Sequence, residues 1–178
     1  MIWITHLVAA INIVHNITVH YIHLVSSPLE LDQQVCFALY RASRTVTAAY
    51  RPHLDRLGIT YPQYLVLLAL WERDARGVQD LCGALDLDTG TLSPLLKRLE
   101  AAGYIERRRQ QADERRVVVH LTEAGDALRA EAADIPECVT RGSRFDVDEL
   151  VALRETLHRL TAALQEAPGA LSKKGRTS

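Results

Sequence analysis

The sequence predicts a mainly α-helical chain with one small β-hairpin, in which a helix-turn-helix precedes the hairpin and a long amphipathic helix stands on either side of this block. Three observations predict it. Two short helical segments, Val78 to Leu85 and Thr91 to Ala102, are separated only by the break LDTG. The run YIERRRQQADERRVVVHL that follows reads as two β-type stretches around a polar, charged tip. The segments outside this block repeat apolar residues at helical spacing.

The 178 residues are 48% hydrophobic and 24% charged with a net charge of -1, which suits one ordinary globular domain and excludes disordered and collagen-like chains. The cysteines, Cys36, Cys82 and Cys138, are odd in number and widely spaced, with no CxxC pair. They exclude a disulfide scaffold and a zinc motif and point to a reducing, cytoplasmic compartment.

Residues 1–28 form an uncharged apolar extension: the 21 Lys and Arg and the 22 Asp and Glu all follow Pro28. Met1 to Val25 has the length of a membrane span, but His6, Asn12, His15, Asn16, His20 and His23 are costly in hydrocarbon, and a signal peptide's basic start and small-residue cleavage site are missing. No membrane role is therefore expected. The extension is read as an arm packing on the domain or on a partner chain, or as the product of an upstream start codon. The histidine separations give no clean ligand face, so no metal is expected there.

From Leu31 to Tyr50 a first helix carries Val35, Leu39, Ala42, Val46 and Ala49 on its apolar spacing, with Asp32 as N-cap and Pro52 as its interruption. A second helix, Gln63 to Arg73, is apolar on most sides and is read as buried, with Trp71 and Phe37 among the core candidates. After the helix-turn-helix, Gly103 suits a C′ position, and the hairpin lacks the Asn-Gly signal of a two-residue turn, so a longer loop is expected. Thr122 caps a helix to about Ala133, Ile135-Pro136 marks a break, and Asp146 to Gln165 forms a last helix with Leu150, Leu153, Leu157, Leu160 and Leu164 in a stripe. The basic tail, residues 168–178, is expected to be disordered.

A helix-turn-helix followed by a β-hairpin is the order of a winged helix, which places one helix in the DNA major groove and the hairpin on the neighbouring minor groove or backbone. Between Thr89 and Arg116 stand seven basic residues (Lys97, Arg98, Arg107, Arg108, Arg109, Arg115, Arg116) against four acidic ones, a basic patch inside a balanced total. Thr89, Gly90, Thr91 and Ser93 supply short hydrogen-bonding groups at the front of the second helix. A solvated charged face is the bland reading of the same residues.

Cys36 is the second feature. On a helical wheel Tyr40 lies about 40° to one side of it and Tyr50 about 40° to the other, while Tyr50 is ~21 Å away along the axis. One face thus carries a thiol and two phenols that meet only if two such helices cross. Near a helix N-terminus the dipole favours thiolate, phenolic donors stabilise that anion, and a thiolate is what a peroxide attacks. A buried cysteine with two core tyrosines is the alternative on periodicity alone.

The runs QVCFALYRASR, LGITYPQYLVLLALWE, LDTGTLSPLLKRLEAAGYI and ADERRVVVHLTEAG resemble the MarR family of winged-helix regulators, and within it the organic-hydroperoxide-sensing (OhrR-type) branch. Four segments agree in order and spacing over roughly residues 29–165. The resemblance implies a winged helix-turn-helix at about 76–122, flanked by N- and C-terminal dimerisation helices at about 30–60 and 123–166 that interlock in a homodimer. It implies DNA reading by the helix carrying TLSPLLKRLE and a wing with an Asp-x-Arg motif, here Asp113 and Arg115. It also implies that Cys36 is the peroxide-reactive cysteine with Tyr40 and Tyr50 as partners across the dimer. Two-cysteine members carry a resolving thiol that aligns near Arg141, about one turn after Cys138, so Cys138 is a candidate resolving cysteine displaced from the family position. Cys82 matches no functional position.

The expected function is thus a cytoplasmic, homodimeric repressor that binds a pseudo-palindromic double-stranded operator through Thr89, Thr91, Ser93, Lys97, Arg98, Arg109, Asp113 and Arg115. An organic hydroperoxide oxidises Cys36 and releases the DNA. No cofactor and no enzymatic turnover are expected, and the sequence has no Gly-rich phosphate loop, GxSxG or HExxH. The alternatives are a repressor released by a small aromatic or lipophilic ligand and a thiol peroxidase, which leaves the basic wing unexplained.

Overall fold

The computed structural model describes residues 29–110 and 113–167, the side chains of residues 110–116 excepted. The extension at residues 1–28 and the tail at 168–178 lie outside the described residues. The chain divides into two compact units, one ending at Tyr61 and one beginning at Pro62.

In the first unit a 3-10 turn at Leu31–Gln33 leads into α1 (Val35–Arg56). The expected N-cap, Asp32, lies in that turn; Gln34 takes the cap position, and its backbone N–H donates to Leu31 O at 3.1 Å. The expected end at Tyr50 is also corrected, because α1 continues through Pro52 to Arg56. Pro52 is exposed and gives up one intrahelical bond, while two turns of helix are regained and Leu54 is buried. The helix stops instead at Gly58, whose φ of 66° allows Gly58 N–H to donate to Asp55 O and Ile59 N–H to Leu54 O, both at 3.2 Å. Along the rest of α1 the apolar stripe is bare: Val35 is 66% exposed and Val46 45%. Phe37 is half-buried, with the Arg41 guanidinium over its ring, so it is no core residue of this unit.

The second unit is built around α2 (Tyr61–Glu72), which buries Tyr64, Val66, Leu67, Leu70 and Trp71 because it is apolar on every side. Against this core stand α3 (Val78–Leu85) and α4 (Thr89–Ala101), which contributes Leu92, Leu96 and Leu99 as one buried face. Thr89 and Gly90, expected in the break, form the first turn of α4, since Asp88 caps it one residue earlier. Gly103, with φ of 79°, ends it as expected.

The hairpin strands β2 (Ile105–Gln110) and β3 (Asp113–Leu121) are joined by a third strand, β1 (Arg76–Gly77), in the order β1-β3-β2, all antiparallel. Sequence reading missed β1 because two residues carry no alternation. The longer loop expected at the hairpin tip is corrected too: Arg109 pairs with Val117 and Gln110 with Asp113, so the extra residues of β3 form a bulge within the ladder rather than a loop.

Thr122 caps α5 (Glu123–Ala132) as expected, its hydroxyl accepting from Gly125 N–H at 3.0 Å. Ile135-Pro136 begins a further helix, α6 (Ile135–Ser143), where a break was expected: proline costs nothing in a first turn that lacks an N–H partner anyway, and Ile135 is buried. Asp146 and Glu149 form a reciprocal capping box on α7 (Val147–Glu166), at 2.8 and 2.9 Å. No residue of α7 is buried; of its leucine stripe, Leu153 and Leu164 are exposed and Leu150, Leu157 and Leu160 are half-buried.

The joint between α4, the wing and α5 is closed by backbone contacts. The Trp71 indole N–H donates to Gly125 O at 2.9 Å, Thr122 N–H to Tyr104 O at 3.1 Å, and the Thr122 hydroxyl to Gly103 O at 2.6 Å. A Cβ at Gly125 would stand 1.9 Å from Tyr104 O. Gly125→Ala should therefore prevent stable folding of the second unit, while Trp71→Phe, which strands a buried carbonyl, should cost about 1–3 kcal/mol. Urea denaturation followed by circular dichroism checks both, and a Gly125→Ala protein of wild-type stability contradicts the joint.

Candidate nucleic-acid interface and reactive cysteine

The helix α4, expected to read DNA, starts on Asp88, whose carboxylate accepts the Thr91 N–H at 2.7 Å and the Thr91 hydroxyl at 3.1 Å. Ser93 donates its hydroxyl to Thr89 O at 2.7 Å, and the Thr89 hydroxyl lies 3.8 Å from the sulfur of buried Cys82. The three hydroxyls assigned to DNA thus lie together on an exposed first turn, each already engaged within the chain, and each keeps lone pairs for a further donor. Beside them a groove of about 360 Å³ is lined by Gln79, Asp80, Thr89, Ser93, Arg107 and Val117.

The basic residues separate into two sets. Arg107 is held by Glu100 and Arg108 by Glu106. Lys97, Arg98 and Arg109 are exposed and make no ion pair among the described residues. Asp113 lies on β3 opposite Gln110, and the side chains of Asp113 and Arg115 lie outside the described residues.

Cys36 is exposed in the first turn of α1. Tyr40, 56% exposed, accepts a hydrogen bond at its hydroxyl from Arg44 at 2.9 Å, and the same guanidinium covers its ring. Tyr50 is half-buried, its ring edge-on to Tyr61 with centroids 5.1 Å apart. Burial and then the neighbouring Tyr61 push the Tyr50 phenol above its ordinary pKa, so it stays protonated and able to donate. Because α1 is continuous from Val35 to Arg56, the axial gap of ~21 Å between Cys36 and Tyr50 stands, and one chain does not bring them together. Cys138 is exposed on α6. Arg141, one turn later, is paired with Glu137 at 2.6 Å.

Sequence reading missed three carboxylates that build this site. Asp88 was legible, being a cap residue directly ahead of the helical run. Glu100 and Asp74, whose carboxylate accepts Leu121 N–H at 2.8 Å, act across 7 and 47 residues, and local pattern carries no sign of either.

The organic hydroperoxide resistance transcriptional regulator of Bacillus subtilis is 44% identical over 138 residues, covering 78% of this chain and 94% of the relative. The chain belongs to the MarR family, in its organic-hydroperoxide branch. Residues 48–131 of this MarR-family chain also match the family of transcriptional regulators SarA/Rot. AbfR of Staphylococcus epidermidis, solved reduced and bound to DNA, superposes with a TM-score of 0.65 at 38% identity, over 79% of this chain and 99% of that one. AbfR in a disulfide form gives 0.55 at 37%, over 78% and 98%. The mainly helical architecture with a small antiparallel sheet is that of winged-helix MarR regulators. Among the described residues no helix is long and apolar enough to cross a membrane.

The cap also sets a pH limit on the MarR-family reading helix. Hydrogen bonds from the Thr91 N–H, then the Thr91 hydroxyl, hold the Asp88 carboxyl below its ordinary value. A carboxyl depressed in the folded state stabilises above its unfolded pKa of about 4 and loses that contribution as pH falls through the folded value. Asp88→Asn should keep most of the cap and flatten this acid limb, and Asp88→Ala should lower the thermal midpoint at pH 7. Thermal melts from pH 7 to pH 3 check the pair; an Asp88→Asn protein with the wild-type acid dependence assigns that limb to other carboxylates.

Proposed function

We propose that this chain is a homodimeric transcriptional repressor that leaves its DNA operator when an organic hydroperoxide oxidises Cys36. The observation that carries the reading is an exposed thiol in the first turn of a helix that shows two phenols and an uncovered apolar stripe, in a chain that also presents a cationic reading helix. The name of the Bacillus relative, and the DNA-bound and disulfide forms of AbfR, support it. A stable monomer rarely leaves Val35 and Val46 uncovered on one long helix and Leu153 and Leu164 on another, so a second copy is assigned to each of these faces.

The proposed chemistry is stoichiometric. The Cys36 thiolate attacks the distal peroxide oxygen, an S–O bond forms as the O–O bond breaks, and the alcohol leaves with the proton it needs. Phenols at Tyr40 and, from the partner, Tyr50 supply donors for the thiolate. The sulfenic acid then condenses with a thiol, losing water; the exposed Cys138 of the partner is one candidate and a small cellular thiol the other. Either product displaces helices that carry the reading heads. Readout of the operator is assigned to Thr89, Thr91, Ser93, Lys97, Arg98 and Arg109, with Asp113 and Arg115 at the wing, and a cytoplasmic site follows from a DNA partner. A second reading, release by a small aromatic ligand, is favoured by a groove of about 270 Å³ lined by Tyr64, Leu68, Trp71, Glu72, Arg129 and Pro136.

Cys36→Ser should bind operator duplex normally and ignore hydroperoxide in a gel-shift assay. Dissociation of the Cys36→Ser protein by hydroperoxide refutes sensing at this residue, and dissociation by an aromatic ligand alone selects the second reading. Tyr40→Phe or Tyr50→Phe should slow oxidation about ten- to a hundred-fold with little loss of DNA affinity, the rate equivalent of about 1–3 kcal/mol for a hydrogen bond to a charged group. A covalent dimer on non-reducing gels that disappears in Cys138→Ser supports the disulfide route; a thiol-capped monomer in mass spectra supports the single-cysteine route.

Lys97→Ala, Arg98→Ala, Arg109→Ala and Arg115→Ala should each lower the salt slope of operator binding by about one where the cation contacts phosphate. Unchanged slopes in all four remove these residues from the interface.

A further inference from the structure

We infer that Glu100 is a positioning residue of the reading head: its carboxylate fixes the wing to the last turn of α4 and withdraws Arg107 from the cations that meet phosphate. This rests on the duplex-binding reading above. Arg107 Nε and Nη2 reach Glu100 Oε2 at 3.0 and 2.5 Å, and the Arg107 backbone N–H donates to Oε1 at 3.2 Å. Three donors of one wing residue therefore converge on both oxygens of one helix residue.

The backbone contact is the informative one. In the order β1-β3-β2 the strand carrying Arg107 is an edge of the sheet, and an edge N–H outside the ladder needs an acceptor. Glu100 supplies it from α4, so the bond fixes strand to helix as well as side chain to side chain. The pair also holds the Glu100 carboxyl below its ordinary value, chiefly through the Arg107 side-chain hydrogen bond.

The three consecutive arginines then have three fates. Arg107 faces α4 and is clamped, Arg108 faces the other side of the strand and pairs with Glu106, and Arg109 returns to the first side without an ion pair among the described residues. Only Arg109 of this run is left for DNA. Wing and helix must keep one spacing to touch adjacent grooves together, and the clamp sets that spacing at the wing's root.

Charge counting alone gives the opposite expectation for Glu100, since removing an acid from a basic face tightens DNA binding. The test measures wild type, Glu100→Ala, Arg107→Ala and the swap Glu100→Arg with Arg107→Glu. Each is titrated across salt concentrations with a palindromic duplex selected by the wild-type protein and with an unrelated duplex, and amide exchange is followed without DNA. Both single variants should bind the selected duplex about ten-fold more weakly with an unchanged salt slope, and the swap, which restores the ion pair but leaves the backbone N–H of residue 107 without its acceptor, should recover only part of the loss. Exchange at the Arg107 amide should quicken in both single variants while α5 to α7 stay as in wild type.

Tighter binding by Glu100→Ala, a slope lowered by about one in Arg107→Ala, or unaltered wing exchange overturns the inference. A selection from which the wild-type protein enriches no duplex removes the DNA reading instead, and exchange alone then decides the clamp.

Discussion

The contact on which the rest of the second unit depends is the approach of Gly125 to the Tyr104 carbonyl. No side chain fits between them. That closeness lets Trp71 reach Gly125 O, lets Thr122 bridge Gly103 and Tyr104, and lets one residue both start α5 and finish the turn after the reading helix. The end of α4, the root of the wing and the first turn of α5 are thereby one hydrogen-bonded body, with Asp74 tying Leu121 to the loop before β1.

Charge is managed by the same economy of contacts. The chain is close to neutral overall, so DNA affinity cannot come from bulk charge and must come from which cations are left unpaired. Glu100 and Glu106 each take one arginine of the RRR run; the Glu100 pair joins β2 to α4, and the Glu106 pair lies within β2. Lys97 and Arg98, one turn before the end of α4, and Arg109, further along β2, are exposed on either side of that clamp. On the proposed DNA reading, Glu100 is thus a geometric part, and the basic residues divide into Arg107 and Arg108, which are paired within the chain, and those left to meet phosphate.

Local pattern carried most of this architecture. The helix-turn-helix, the hairpin, the Thr122 cap, Gly103 and the final amphipathic helix are all legible because each is written in neighbouring residues of the chain. What escaped was set by tertiary contact. Pro52 reads as a stop, yet buried Leu54 and the Gly58 turn carry α1 beyond it. Ile135-Pro136 reads as a break and is a helix start, since the same dipeptide serves either role until burial of Ile135 decides. β1 is too short to alternate, and the bulge in β3 obeys its partner strand rather than its own sequence. Of the candidate site, the residue types and their faces were legible; the intrachain engagement of Thr89, Thr91 and Ser93 and the Glu100–Arg107 clamp were not, because both depend on elements meeting in space.

The wheel of α1 poses a problem that one chain cannot solve. Cys36 and Tyr50 share a face but stand ~21 Å apart on a helix that runs unbroken between them. Val35, Leu39 and Val46 on that helix are uncovered, and so are Val147, Val151, Leu153 and Leu164 of α7. A two-fold axis addresses both facts with one operation, because it covers each stripe with another and can bring the N-terminal end of one helix to the C-terminal end of its mate. Under the proposed dimer the half-buried Tyr50 phenol, kept protonated by its surroundings, is then a donor offered by one subunit to the thiol of the other. On the same proposal, oxidation at that point would add bulk inside the interface that holds the two reading heads at their spacing, so a change of one or two atoms at sulfur would act on the distance between recognition helices rather than on either helix alone.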